Sequence, residues 1–182
     1  MGLGEFSVIE RYFALRSVAT PDLSLGIGDD AALIRVTPGH ELAVSVDTLI
    51  AGRHFPTSTS AASIGHKCLA VNLSDMAAMG AWPRWFTLAL SMPHADEQFL
   101  DPFSDSLLQL ADQFGLRLIG GDTVAGPLAL TLQILGEVPA GRALLRSGAR
   151  PGDGIYVSGT LGDAAAGLAI VQQSLITTVD AA

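Results

Sequence analysis

The sequence predicts an α+β domain in which helices lie against a sheet that is at least partly antiparallel. Two observations predict it. Short apolar runs of strand length alternate in mixed order with stretches of helical periodicity. The chain is also 49% hydrophobic and only 15% charged over 182 residues, which permits a substantial core and argues against disorder. That length suits one domain, or one domain plus the opening of a second. Aromatic residues make up 6%, so Ala, Val, Ile and Leu must supply most of the core.

The elements follow in order. Phe6, Ile9, Tyr12 and Phe13 share one helical face across residues 5–15. Residues 21–30 read as a loop that passes into Gly26-Ile27-Gly28-Asp29-Asp30. Residues 31–36 read as a strand, and Pro38-Gly39 marks a turn. Leu42 to Val46 reads as a second strand with Asp47 at its carboxyl end. Residues 61–80 form the clearest helix, with Ile64, Cys68, Val71, Asp75 and Ala78 on or near one stripe and Ala and Met favouring helix throughout. Trp85 to Ser91 is a strand, and 96–114 a helix with Phe99, Phe103, Leu107 and Leu110 at helical spacing. Leu116 to Ile119 is a strand running into Gly120-Gly121-Asp122, and Leu128 to Val138 is another after Pro127. Ser147 to Gly154 looks like a domain junction. A short strand, Ile155 to Ser158, and a helix from Asp163 to about Gln173 follow it.

The formal net charge is −8, from 18 acids and 10 bases, and the only lysine is Lys67. No cluster of Lys and Arg is present to neutralise phosphates over a broad surface, so nucleic acid is not an expected partner. One cysteine, Cys68, excludes an internal disulfide and a thiolate zinc site, and its apolar helical setting makes it an inert core thiol. No basic segment leads into an apolar run at the start, and Phe6 breaks the myristoylation pattern after Gly2. Apolar runs are interrupted before they reach membrane-spanning length. The expectation is a soluble cytoplasmic protein without a membrane partner.

The carboxylates are the informative side chains. Asp29 and Asp30 follow Gly-Ile-Gly, and Asp47 ends Ala43-Val44-Ser45-Val46. Asp75 sits in a nearly uncharged helix, and Asp122 ends Leu118-Ile119-Gly120-Gly121. A carboxylate beside an apolar strand is costly unless compensated, and the bases are too few to pair all of these. Hard divalent cations are the natural compensation, since Mg2+ prefers carboxylate and water oxygens. Any one of these residues alone is as readily a helix cap or an Asx-turn residue, and Asp29 could cap its turn while Asp30 binds metal. Four such sites, each beside Gly or small residues, argue for metal and phosphate. Gly26-Ile27-Gly28-Asp29-Asp30-Ala31 also fits a loose dinucleotide pattern. Two acids there would repel a pyrophosphate, and the segment leads into a strand rather than a helix. No P-loop and no protein-kinase motif set occurs. His40, His54, His66 and His94 lack metal-ligand spacing, and His54 reads as a loop histidine. Arg142, Arg146 and Arg150 recur every four residues, as a solvated helical face or as phosphate contacts.

Taken together, several segments in order resemble the thiamine-monophosphate kinase family of the aminoimidazole ribonucleotide synthetase superfamily. They are Gly4-Glu5-Phe6, Gly26 to Ala32, Asp47 to Phe55, Ala70 to Ala81, Gly120 to Thr123, and Arg142 to Ala149 followed by Pro151-Gly152-Asp153. They span the chain to about Leu168, and Asp-Thr-Leu-x-x-Gly-x-His-Phe at 47–55 is the segment that separates this family from its relatives. The resemblance implies ATP-dependent phosphorylation of thiamine monophosphate to thiamine diphosphate, with several Mg2+ ions. It implies that Asp30, Asp47, Asp75 and Asp122 are Mg2+ ligands and that Ser45 and Val46 stand at metal-contacting positions. Val46 departs from the frequent hydroxyl residue, leaving its carbonyl to serve. His54 takes the place of a substrate contact, and Gly121, Asp122 and Arg146 of ATP contacts. No residue acts as a general base.

The resemblance further implies the N-terminal domain of the synthetase-like fold, a mixed, mostly antiparallel sheet with helices on one face. Residues 1–147 would bind ATP and Mg2+ and form a homodimer, with nucleotide near its interface. Residues 148–182 would begin a truncated C-terminal α/β domain. The tail from Ser174 departs from the family pattern. The chain is therefore expected to be an incomplete fragment that binds Mg2+ and nucleotide without full kinase activity. The alternatives are another synthetase or kinase of the superfamily, or a non-catalytic dimerisation module.

Overall fold

Two strands of 11 residues, β3 (His40–Ile50) and β6 (Ala129–Pro139), pair antiparallel along their whole length, from His40 opposite Pro139 to Ile50 opposite Ala129. β4 (Trp82–Met92) pairs antiparallel with the other side of β6, and β5 (Arg117–Ala125) runs parallel to β4. The sheet order is β3-β6-β4-β5, which gives a mixed sheet with one parallel pair. The computed structural model describes residues 4–14 and 20–172. These fall in two compact units, 1–145 and 146–182.

Two helices cover one face of the sheet. α2 (Ala61–Met79) starts at Ser60, whose hydroxyl accepts from the Ser63 amide at 3.3 Å, and stops at Gly80 in the left-handed conformation, φ 66°. α3 (Glu97–Gln113) is capped by Asp96, whose carboxylate accepts from the Gln98 amide at 3.0 Å. Phe86, Leu88, Leu90, Leu130, Leu132 and Ile134 meet Ile64, Leu69, Met76, Phe103 and Leu107 in one buried cluster. Burying such side chains contributes roughly 1.5–3 kcal/mol each. α2 and α3 approach closely at Gly65, where an added Cβ would lie 2.3 Å from the Phe103 carbonyl oxygen. The obstacle is backbone, so relief requires the helices to separate. Gly65→Ala is expected to lower unfolding stability by ~1–3 kcal/mol. Denaturant titration checks this, and an unchanged midpoint would contradict the packing described.

Several sequence expectations are corrected. The strand expected at 31–36 shrinks to β2 (Leu33–Ile34), which pairs with an unforeseen β1 (Leu23–Leu25) inside the expected loop. Asp47 does not end its strand, because β6 offers partners out to Ile50 and Thr48 and Thr131 hydroxyls meet at 2.9 Å. Nor does Asp122 end β5, since β4 continues the ladder to Met92 opposite Ala125. The N-terminal helix is α1 (Glu5–Val8) continued by a π turn, Ile9–Phe13. Its expected end at residue 15 and the tail 174–182 lie outside the described residues.

In the second unit a 3-10 turn, Arg146–Gly148, stands where the four-residue arginine spacing suggested a helical face. The strand expected at Ile155–Ser158 does not form. Ile155 and Tyr156 are 96% and 92% exposed, and a strand without a partner leaves its backbone groups unpaired. α4 (Asp163–Val171) follows, with the Thr160 hydroxyl donating to Asp163 at 2.5 Å.

Candidate functional site

Strand alternation and register divide the acidic residues into two groups. Ser45, Asp47 and Leu49 alternate along β3 toward the helices. The Ser45 hydroxyl donates to Asp75 Oδ2 of α2 at 2.5 Å, which leaves the second carboxylate oxygen free to meet a cation. Asp47 stands near Cys68, one side of the same helix. Burial, and next the Asp47 charge, push that thiol up to about 12, so Cys68 stays protonated and inert. Val46 points to the opposite face, is 56% exposed, and has only its carbonyl to offer a metal.

Asp122 belongs to the second group. Directly opposed residues share a face, and the row Asp47, Leu132, Leu88, Gly121 crosses the whole sheet. Asp122, one residue on, pairs with Ala89 in the next row, which runs on through Thr131 and Thr48. Three strand spacings separate β3 from β5, roughly 14 Å. A bulge prepares this placement. Phe86 opposes Leu118 but Thr87 opposes Gly120, so Ile119 is the extra residue and packs on Leu23 and Trp85.

Asp122 lines a cavity of about 590 Å³ along the free edge of β5, together with Asp29, Asp30, Gly28, Gly120 and Gly121. Phe6, Ile9 and Phe13 of the N-terminal helix form an apolar wall, while Tyr12 of the same predicted face packs in the core. Asp29 Oδ1 accepts from the Asp30 amide at 2.8 Å and caps its own turn, which leaves the Asp30 carboxylate without that duty. Gly28 has φ 126°, a conformation that favours glycine. Gly121 lies so close to β4 that a Cβ would fall 1.9 Å from the Leu88 carbonyl oxygen. A small acidic-and-glycine rim beside an apolar wall suits a cation-bound polyanion with an attached ring.

The structure thus brings Asp30 to Asp122, and Ser45 and Asp47 to the Asp75 side of α2, without merging the two groups. Among the described residues no three His, Cys, Asp or Glu side chains are close enough to hold a metal ion. The donors on each side are hard oxygens of the kind Mg2+ takes, so each group fits a share of a magnesium site. Arg146 opens the second unit and is exposed.

His54 sits beyond β3 in a tight turn. Gly52, at φ 76°, donates its amide to the Phe55 carbonyl at 2.8 Å, and the Phe55 side chain is buried. The Ile50 amide donates to His54 Nδ1 at 3.0 Å. A nitrogen that accepts carries no proton, so the neutral ring holds its proton on Nε2 and presents a donor outward. Long-range 1H–15N NMR is expected to show the Nε2–H tautomer. An Nδ1–H signal would contradict this geometry.

The model of the AIR synthase related protein, N-terminal domain, matches residues 28–138. The chain belongs to this family. Its α+β architecture, with a mixed sheet and helices on one face, is that of the AIR synthase related N-terminal domain. Thiamine-monophosphate kinase of Escherichia coli is 57% identical over 96% of this chain, and the match spans 54% of that protein. The crystal structure of thiamine-monophosphate kinase from Stenotrophomonas maltophilia is 50% identical with a TM-score of 0.85, covering 100% of this chain and 57% of that one. AaThiL complexed with AMPPCP and TMP is 29% identical with a TM-score of 0.71, covering 98% of this chain and 55% of that one. This member of the AIR synthase related family spans about half the length of the relatives it matches. No helix among the described residues is long and apolar enough to cross a membrane.

Proposed function

We propose that this chain carries the Mg2+- and ATP-handling half of an ATP-dependent thiamine-monophosphate kinase, which forms thiamine diphosphate. The observation that carries the reading is the cavity shared by Asp30 and Asp122 beside Gly28, Gly120 and Gly121. The likeness to thiamine-monophosphate kinases over nearly the whole chain supports it. The acceptor is itself a phosphate, already anionic and nucleophilic at neutral pH, so no general base is required. The difficulty is bringing two polyanions together. Magnesium ions held by Asp30, Asp47, Asp75 and Asp122, with Ser45 and the Val46 carbonyl, would neutralise both and align in-line transfer. Catalysis is then mainly positioning and charge neutralisation. Gly121 and Asp122 would stand beside the triphosphate, Arg146 would contact ATP, and His54 would offer its Nε2–H to the substrate.

A homodimer accounts for the division of the acids. Val44, Val46 and Ile50 form an apolar stripe on the sheet face away from the helices, 51%, 56% and 43% exposed. A second copy that covers it and wraps around the edge strand β3 would bring its cavity acids to the Ser45–Asp47–Asp75 group on the helix side, with nucleotide near the interface. The location consistent with this reading is the cytoplasm, where ATP is consumed. Residues 148–182 would open the second domain.

A thermal-shift comparison tests the assignment. Mg2+-ATP with thiamine monophosphate is expected to raise the melting temperature above Mg2+-ATP alone, whereas carbonyl or selenide substrates of related synthetases should not. A shift with a rival substrate instead would overturn the choice of acceptor. Self-association without any Mg2+-ATP effect would mark a non-catalytic dimerisation module. The 182-residue chain is expected to bind Mg2+-ATP without robust release of thiamine diphosphate. Steady turnover in a thiamine diphosphate assay would contradict that.

A further inference from the structure

The hairpin that carries Asp29 and Asp30 is gripped at both of its ends by charged groups that do not line the cavity. Ahead of β1, Arg84 Nη2 donates to Asp22 Oδ2 at 2.7 Å. Beyond β2, Glu137 accepts twice from Thr37, from its amide at 2.6 Å and from its hydroxyl at 2.9 Å. Arg84 Nε stands 3.9 Å from Glu137 Oε2, so one guanidinium spans both ends. The Arg35 amide donates to the Asp22 carbonyl at 2.8 Å and closes the hairpin base. Arg84 and Glu137 sit on the adjacent central strands β4 and β6, a rigid base for such a grip.

The remaining attachment of the hairpin is apolar. Leu23 packs on Trp85 and Ile119, with Ala32 and Ile34 at the margin, Ile27 of the loop rests against the main core, and Arg84 lies over the Trp85 ring at 5.5 Å. β1 and β2 pair with each other and not with the main sheet, so no ladder fixes the loop 26–32 over β5. Glu137 is only 4% exposed. A buried carboxylate is costly and needs partners, and here its partners are the hairpin end and Arg84. Burial by itself would raise the Asp22 carboxyl, but hydrogen bonds from Thr20 and Arg84 outweigh it and hold it below the ordinary carboxylate range. A lowered native value means that the grip is complete above that range and weakens as pH falls through it.

We propose that Arg84 and Glu137 are positioning residues: by holding Asp22 and Thr37 at the two ends of the hairpin, they set where the Asp30 carboxylate stands over the cavity relative to Asp122. The link to nucleotide rests on the kinase reading, while the link to the loop does not. A side chain that must share a cation with another needs a defended position, because a displacement of about 1 Å in such a constellation already weakens it.

The test combines hydrogen exchange with calorimetry on the 182-residue chain. Arg84→Met is expected to speed exchange in residues 26–32 by at least about tenfold while the β4 and β6 amides keep their protection. Mg2+-ATP affinity should fall severalfold. Arg84→Lys, which keeps the charge but not the fork, should recover part of both effects. Glu137→Gln, nearly isosteric, is expected to reproduce the faster loop exchange and guards against a folding defect in the other variant. Unchanged exchange in 26–32 in both Arg84→Met and Glu137→Gln would overturn the proposal. So would a loosened loop with undiminished Mg2+-ATP affinity. If the unsubstituted chain binds no Mg2+-ATP, the kinase reading fails separately, and the exchange result alone decides the grip.

Discussion

Asp75→Asn and Asp122→Asn are each expected to reduce Mg2+-dependent ATP affinity on the order of 100-fold, with little change in melting temperature. Replacing a group that merely orients a metal ligand costs about 10–100-fold, so removing a ligand charge should reach the upper end. Asn keeps the shape of Asp, and its carbonyl can still accept from Ser45 at position 75, where the present bond measures 2.5 Å. At position 122 the side chain is exposed and carries no packing. Calorimetric ATP titrations at several Mg2+ concentrations check both. Affinity equal to the unsubstituted chain in both variants would remove the magnesium role from these residues.

Gly121→Ala is expected to have the second large effect, through backbone rather than charge. The added Cβ would meet Leu88 oxygen at 1.9 Å, its carbonyl carbon at 2.7 Å and its nitrogen at 3.0 Å. All three belong to the neighbouring strand and cannot rotate away, so β5 must move at the residue before Asp122. The expected cost is ~1–3 kcal/mol of stability. Mg2+-ATP affinity should fall at least about tenfold, or 1.4 kcal/mol. Gly120→Ala is the control for unfolding, because a Cβ there meets nothing within 4 Å, while it too lines the cavity. Equal unfolding stability of the two variants would show that the close approach at 121 is unimportant.

The helices were legible because their signals are local. The apolar stripe and the Ala- and Met-rich run predict a helix over 61–80, within a residue of the bounds of α2, 61–79. The strands were legible in kind but not in extent. Asp47 and Asp122 read as strand ends because Asp disfavours strands, but the ladders offered by β6 and β4 carry the backbone through both. Ile155 to Ser158 failed for the converse reason, since an apolar run becomes a strand only beside a partner.

The acidic residues were singled out from composition, as carboxylates beside apolar runs in a chain poor in bases, yet Asp29, Asp30 and Asp122 are exposed and only Asp47 and Asp75 are half-buried. Their grouping was not legible. That Asp47 and Asp122 stand at opposite edges of the sheet depends on how four strands align, which leaves no local pattern. Arg84 and Glu137 were missed because Arg84 lies just ahead of the strand expected from Trp85, whereas β4 begins at Trp82, and Glu137 reads as an ordinary charge in its strand. Only the fold brings Asp22 and Thr37 to them.

Mixing two inactive variants tests the central claim most directly. If each site takes Asp122 from one copy and Asp75 from the other, neither Asp75→Asn nor Asp122→Asn chains bind Mg2+-ATP tightly alone. Mixed in equal amounts with exchange of subunits, half of the dimers carry both variants, and each of those has one intact site. Tight binding should then return to about a quarter of all sites. No recovery, with mixed dimers shown to form by native mass spectrometry, would contradict the claim that acids from two copies close around one nucleotide.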